Sequence, residues 1–208
     1  YAFVIPAAQP DRLRVVQMVN RLRDQKIEVG QLKTPVTLDE GRFDEGDYLV
    51  RLDQPYRNFA LDVLQAQHFP EDSEKLPYDD VSWAYPVGFD VTAVRIEDER
   101  VKRIDAAMLT ENASATGSVS GAGPVYLLRD QGQEALLAAR FRLAAFTVEI
   151  ANQAFTQGRI NYPPGSWLVS AGKGAGADEL DSAIEAVSQE LALDFQTAAK
   201  VPDVPRHA

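Results

Sequence analysis

The segment Gly46-Asp-Tyr-Leu-Val50 recurs as Gly165-Ser-Trp-Leu-Val169, and the same separation of 119 residues (46 to 165) aligns Val29 with Val148, Val36-Thr37 with Phe155-Thr156, and Phe43 with Tyr162. One offset shared by four segments constrains the chain more than any single motif, because a sequence repeat implies a repeated structural unit. Each copy opens on an apolar run, Phe3-Val-Ile5 and Val125-Tyr-Leu-Leu128, followed by a helical stretch in which the spacing between copies changes by about four residues. The expectation is an α/β protein of two related β-α-β-hairpin-β-α subdomains with mainly parallel sheets, arisen by duplication.

In the first copy the pattern predicts a strand at 2–6, then a helix from Pro10 and Asp11 to about Gln25 with Leu13, Val16, Val19 and Leu22 on one face. An alternating strand follows from Ile27 to Leu32, then a hairpin between Gly41 and Gly46, then the strand Tyr48–Leu52. Asp53 reads as the N-cap of a helix from about Tyr56 to Gln65, with Pro55 in its first turn. The second copy predicts a strand at 124–129, a helix at 132–146 and a strand at 147–151. A hairpin around Gly158 and Pro163-Pro164-Gly165 leads into Trp167–Val169. A final helix, capped by Asp178, runs to Leu191, and a short strand opens at Leu193-Asp-Phe195.

The expected divisions are a first repeat over 1–66, an aromatic and Pro-rich joining region over 67–120, a second repeat over 121–200 and an extended tail over 201–208. Aromatics in the joining region (Phe69, Tyr78, Trp83, Tyr85, Phe89) imply an ordered loop, with a strand over Val91–Ile96. Residues 110–123, rich in Ser, Gly and Ala, read as a flexible stretch.

Charge and composition exclude several classes of function. Asp and Glu number 31 against 21 Lys and Arg, a net charge of −10 that disfavours a nucleic-acid partner. Arg12, Arg14, Arg21 and Arg23 share a helix with Asp11 and Asp24 and read as a solvated face. With no cysteine the chain has no disulfides, thiolate chemistry or cysteine-held zinc. No run approaches the roughly 20 apolar residues of a membrane span. The sequence opens inside an apparent strand and closes in the Pro-rich run Val201–Ala208, ends expected of a piece cut from a longer protein.

Candidate chemistry is sparse. The two histidines are His68 and His207, and His68-Phe-Pro-Glu71 matches a His-x-x-Glu metal pattern without a third ligand nearby, so an independent metal-dependent hydrolase is the weakest reading. Ser166, Ser170 and Ser182 have no neighbouring histidine to act as base. Gly172-Lys-Gly-Ala-Gly176 lies between a strand and a helix, where backbone N–H groups attract anions, although it is neither a P-loop nor a dinucleotide fingerprint. The turn Arg51-Leu-Asp-Gln-Pro-Tyr-Arg57 follows a strand, and Arg51 and Arg57 together would clamp a carboxylate. The candidate ligand-binding residues are therefore Arg51, Asp53, Gln54, Tyr56, Arg57, Trp83, Gly172, Gly174 and Gly176, with no catalytic residue, metal ligand or cofactor expected. The alternative role for each is local: capping, packing or flexible connection.

The segments Tyr48–Ala60, Pro77-Tyr-Asp-Asp-Val-Ser-Trp83 and Tyr162-Pro-Pro-Gly-Ser-Trp-Leu-Val169 resemble the region downstream of the catalytic domain in large bacterial zinc carboxypeptidase-like proteins. The tail Val201-Pro-Asp-Val-Pro-Arg-His207 resembles the junction there before a glutamine-amidotransferase-like domain. The resemblance implies a periplasmic or secreted parent protein, a non-catalytic accessory module that packs on or assists a peptidase domain, and the remainder of its own polypeptide as partner, with peptides as possible ligands. None of the family's zinc ligands maps onto a position of this chain.

Overall fold

The computed structural model describes residues 1–66, 83–172, 174 and 176–208. The chain divides into two units, Tyr1–Ser114 and Ala115–Ala208. His68, Glu71, Phe69, Tyr78 and most of the Pro77–Trp83 phrase lie outside the described residues.

In the first unit, strand β1 (Ala2–Ile5) leads to helix α1 (Arg12–Asp24), whose N-cap Asp11 accepts a hydrogen bond from the Arg14 N–H at 3.2 Å. Then come β2 (Gly30–Leu32), the hairpin β3 (Val36–Leu38) and β4 (Gly41–Phe43), β5 (Tyr48–Arg51), α2 (Arg57–Leu64), the short α3 (Tyr85–Phe89), β6 (Val94–Ile96) and β7 (Ala106–Met108). The sheet order is β6-β1-β5-β2-β7. β1 is buried along its whole length. Ala2 and Val4 join Leu32, Leu38, Phe43, Leu49 and Ile96 in a core beneath the β3–β4 hairpin. By the pleat, Phe3 and Ile5 face the other side, where α1 supplies buried Val15, Met18, Val19 and Leu22.

The second unit runs β8 (Val119–Ser120), β9 (Val125–Leu128), α4 (Leu136–Arg142), β10 (Thr147–Ala151), the hairpin β11 (Phe155–Gln157) and β12 (Ile160–Tyr162), β13 (Trp167–Ser170), α5 (Ala177–Leu191), β14 (Phe195–Ala198) and β15 (Arg206–His207). Its sheet order is β15-β10-β13-β9-β14-β8. Val125, Leu127, Tyr162, Leu168 and Val204 pack one face. On the other face the Tyr126 hydroxyl donates to Asp181 of α5 at 2.7 Å. Burial, and then that carboxylate, push the phenol up to about 12.

The expectation of mainly parallel sheets in duplicated α/β subdomains is overturned. β5 pairs antiparallel with both β1 and β2, and β13 pairs antiparallel with both β9 and β10. A helical crossover does return the chain in the direction of the first strand, so β1 and β2 run the same way. The strand after the hairpin then inserts between them, and every neighbour in the centre is antiparallel. Among the described residues the one parallel pair is β14–β8, so the architecture is mixed and mostly antiparallel. The two sheets also differ in strand number and in the strands that extend their edges. The 119-residue offset marks the hairpin and the antiparallel pair that flanks it: Val36 faces Phe43 as Phe155 faces Tyr162, and Gly30 faces Leu49 as Glu149 faces Leu168.

Three boundaries also move. α2 starts at Arg57 with Tyr56 at the N-cap position and no side-chain cap, because Asp53 is turned to Arg51 instead. α4 is shorter than its pattern, closing at Leu143 into tight turns from Ala144 to Phe141 and from Phe146 to Leu143. α5 starts at Ala177, so Asp178 lies in its first turn rather than capping it. Within 110–123, the Asn20 side chain grips Ala113 at both its N–H and its C=O. The Gly117 N–H donates to Ser188 at 2.9 Å, and Phe195 donates to the Ser118 carbonyl at 2.8 Å. This stretch is held at the backbone, and its small residues serve close approach.

Candidate cationic cleft of the first unit

Arg51 and Arg57 are not brought together as a clamp. Arg51 stands at the end of β5. Its Nε donates to Asp53 Oδ1 at 2.9 Å, and its Nη2 pairs with Asp53 Oδ2. This bidentate pairing holds the Asp53 carboxyl below, and the Arg51 guanidinium above, their ordinary ranges. A guanidinium whose Nε–Nη2 edge is taken by an adjacent carboxylate has its charge already met and keeps only its Nη1 side for a ligand.

Gln54 is 9% exposed and works as a strand substitute. Its Oε1 accepts from the Glu28 N–H at 2.7 Å, and its Nε2 donates to the carbonyls of Glu28 and Arg51 at 3.1 and 2.5 Å. Arg51, Asp53 and Gln54 line a cleft of about 230 Å³ with Glu28, Gly30, Leu49, Ala106 and Met108. Tyr56 is exposed at the start of α2. Trp83, 44% exposed, precedes α3. There the Tyr85 hydroxyl donates to Gln25 at 2.8 Å and the Tyr85 and Phe89 rings meet edge-on at 6.0 Å.

The glycine loop before α5 already has its negative charge. Asp178 and Glu179 occupy the first turn, and Glu179 Oε2 accepts from the Gly176 N–H at 3.2 Å. Carboxylates there satisfy the helix end and repel a further anion. Gly172 comes close to the Ala145 carbonyl, while a side chain at Gly174 or Gly176 would meet open space.

Arg57 instead faces a larger cleft of about 570 Å³, lined also by Tyr1, Leu52, Asp53, Leu61, Arg95, Glu97 and Lys102. β5 and the turn after it supply Leu52 and Asp53, α2 supplies Arg57 and Leu61, β6 and its end supply Arg95 and Glu97, and a 3-10 turn over Glu99–Arg103 supplies Lys102. Arg57 donates to Asn58 at 3.2 Å and, among the described residues, has no carboxylate partner. Arg95 donates to Gln65 at 2.9 Å and lies 3.4 Å from Glu97, and Lys102 lies 3.1 Å from Glu99 and 3.8 Å from the centre of the Tyr1 ring. These are exposed pairs, which solvent weakens and a ligand displaces at small cost. Arg95 and Lys102 escaped the sequence reading. Their local patterns are ordinary, and only the pairing of β6 on β1 sets them beside Arg57.

Among the described residues no group of three or more His, Asp and Glu side chains is placed to hold a metal, and no helix is long and apolar enough to cross a membrane. In comparisons with family models, curated proteins and solved structures, nothing matches this chain.

Proposed function

We propose that this chain is a non-catalytic binding module, the accessory part of a zinc carboxypeptidase-like protein, whose first unit receives a small anion or a peptide carboxylate. The observation that carries the reading is the cleft itself. Arg57, Arg95 and Lys102 converge on one depression of a chain whose net charge is −10. Its volume falls in the range of small-molecule sites, roughly 300–1,000 Å³. The carboxypeptidase-like context rests on the sequence resemblance alone, and with it the periplasmic or secreted location and the rest of the polypeptide as partner.

The test is the melting midpoint of the chain with acetate, phosphate and short peptides bearing free carboxyl termini. A ligand at ten times its dissociation constant stabilises the folded state by about 1.4 kcal/mol. The midpoint should rise with at least one of these anions in the native chain, and the rise should vanish in Arg57→Gln/Arg95→Gln. A midpoint that no anion moves overturns the reading.

A further inference from the structure

Resting on that reading, the geometry points to a narrower ligand class: we infer that the 570 Å³ cleft selects a monocarboxylate carrying an apolar substituent over inorganic phosphate and other multiply charged anions. Charge is the first argument. Three cationic side chains line the cleft, but Asp53 and Glu97 line it too, so the side chains of its wall carry one net positive charge. A single carboxylate neutralises that excess. A phosphate dianion would place its second charge against two fixed carboxylates, at a distance where like charges repel.

Chemistry of the wall is the second argument. Leu52 is buried and Leu61 half-buried, both lining the same depression as the cations. Such a wall stabilises a ligand only through apolar surface that the ligand brings. The guanidinium of Arg57 has its fork available for a planar carboxylate, since among the described residues it is held only by the amide oxygen of Asn58. An aliphatic acid therefore fits with its carboxylate toward Arg57 and its alkyl group along Leu52 and Leu61.

Isothermal titration of the full chain with 4-methylpentanoate, acetate, 4-methylpentanamide and inorganic phosphate tests this. The expected order places 4-methylpentanoate about tenfold or more tighter than acetate, because each buried methylene contributes several-fold in affinity. Phosphate should bind more weakly than 4-methylpentanoate, and the neutral amide should not bind. Arg57→Gln, at an exposed position, should abolish binding of both acids. Leu61→Ala should weaken 4-methylpentanoate while leaving acetate unchanged. Phosphate or acetate binding as tightly as 4-methylpentanoate overturns this inference and leaves the anion reading standing. Binding of the amide as tightly as the acid also overturns it. Silence from every anion overturns both. Should Leu61→Ala fold poorly, the four-ligand series on the native chain with Arg57→Gln decides the matter alone.

Discussion

A primary amide side chain can donate and accept at once in the geometry of a peptide group, and among the described residues the first unit uses this three times. Gln9 exchanges bonds with the N–H and C=O of Thr92, Asn20 with those of Ala113, and Gln54 with those of Glu28. Each amide completes backbone pairing where no strand is present to do it. Gln54 is the most committed, since it is buried and its Nε2 serves two carbonyls. Gln54→Glu keeps size and shape but replaces that donor with an acceptor, so two part-buried carbonyls lose their partner. Equilibrium urea unfolding should show a loss of about 1–3 kcal/mol at neutral pH, the range for buried polar groups left unpaired. An unchanged midpoint would show that Gln54 is not the clasp described. In the sequence its place in a polar turn suggested a ligand, while its backbone partner 26 residues away carried no local signal.

Elements were legible where the chain's own periodicity decides them. α1 shows its apolar stripe and Asp11 cap, and both hairpins show their glycines, with positive φ at Gly41, Gly46, Gly158 and Gly165. Polarity of the sheets was not legible. Whether β5 lands outside β1 and β2 or between them depends on tertiary packing that no window of sequence contains. Nor was the anchoring of the β3–β4 turn. There Glu40 Oε1 accepts from the N–H groups of Glu97 and Asp98 at 2.7 and 3.1 Å, and Asp98 Oδ2 accepts from the Asp39 N–H at 3.2 Å. Arg100, bonded to both Asp98 and Asp39, holds the Asp98 carboxyl down at about 2, and the backbone N–H groups of Arg100 and Asp39 add to it. A carboxyl whose folded value lies below its unfolded value, about 3.9, stabilises the fold above that unfolded value. The contribution is lost as pH falls from about 4 towards about 2. The first unit should therefore lose stability over that window, and Asp98→Ala should remove the part of the acid dependence that Asp98 supplies. Urea midpoints at pH 5 and pH 3 check it, and an equal pH dependence in the variant would sink the assignment.

At the scale of the whole molecule, the described core clusters of the two units share no residue, with the Asp98 anchor in one unit and the Gly117 contact in the other. Perturbations should therefore register separately. A Cβ at Gly117 would lie 2.1 Å from the Leu193 carbonyl oxygen and 2.5 Å from that of Ser188, both backbone atoms with little room to yield. Gly117→Ala should cost the second unit about 3 kcal/mol, the upper range for overpacking. Gly158→Ala, at φ +61° with nothing within 4 Å, should cost only the left-handed backbone penalty of about 1–2 kcal/mol. The two tryptophans provide the readout, because Trp167 is 6% exposed in the second unit and Trp83 belongs to the first. In a Trp83→Phe background the fluorescence transition follows the second unit, while far-ultraviolet circular dichroism follows both. Gly117→Ala should bring the fluorescence transition to lower urea. Asp98→Ala should broaden the dichroism transition and leave the fluorescence midpoint in place. If Asp98→Ala moved both probes together, the units would be unfolding as one cooperative body, and the cleft, the amide clasps and the acid-sensitive turn would share their stability with the second unit.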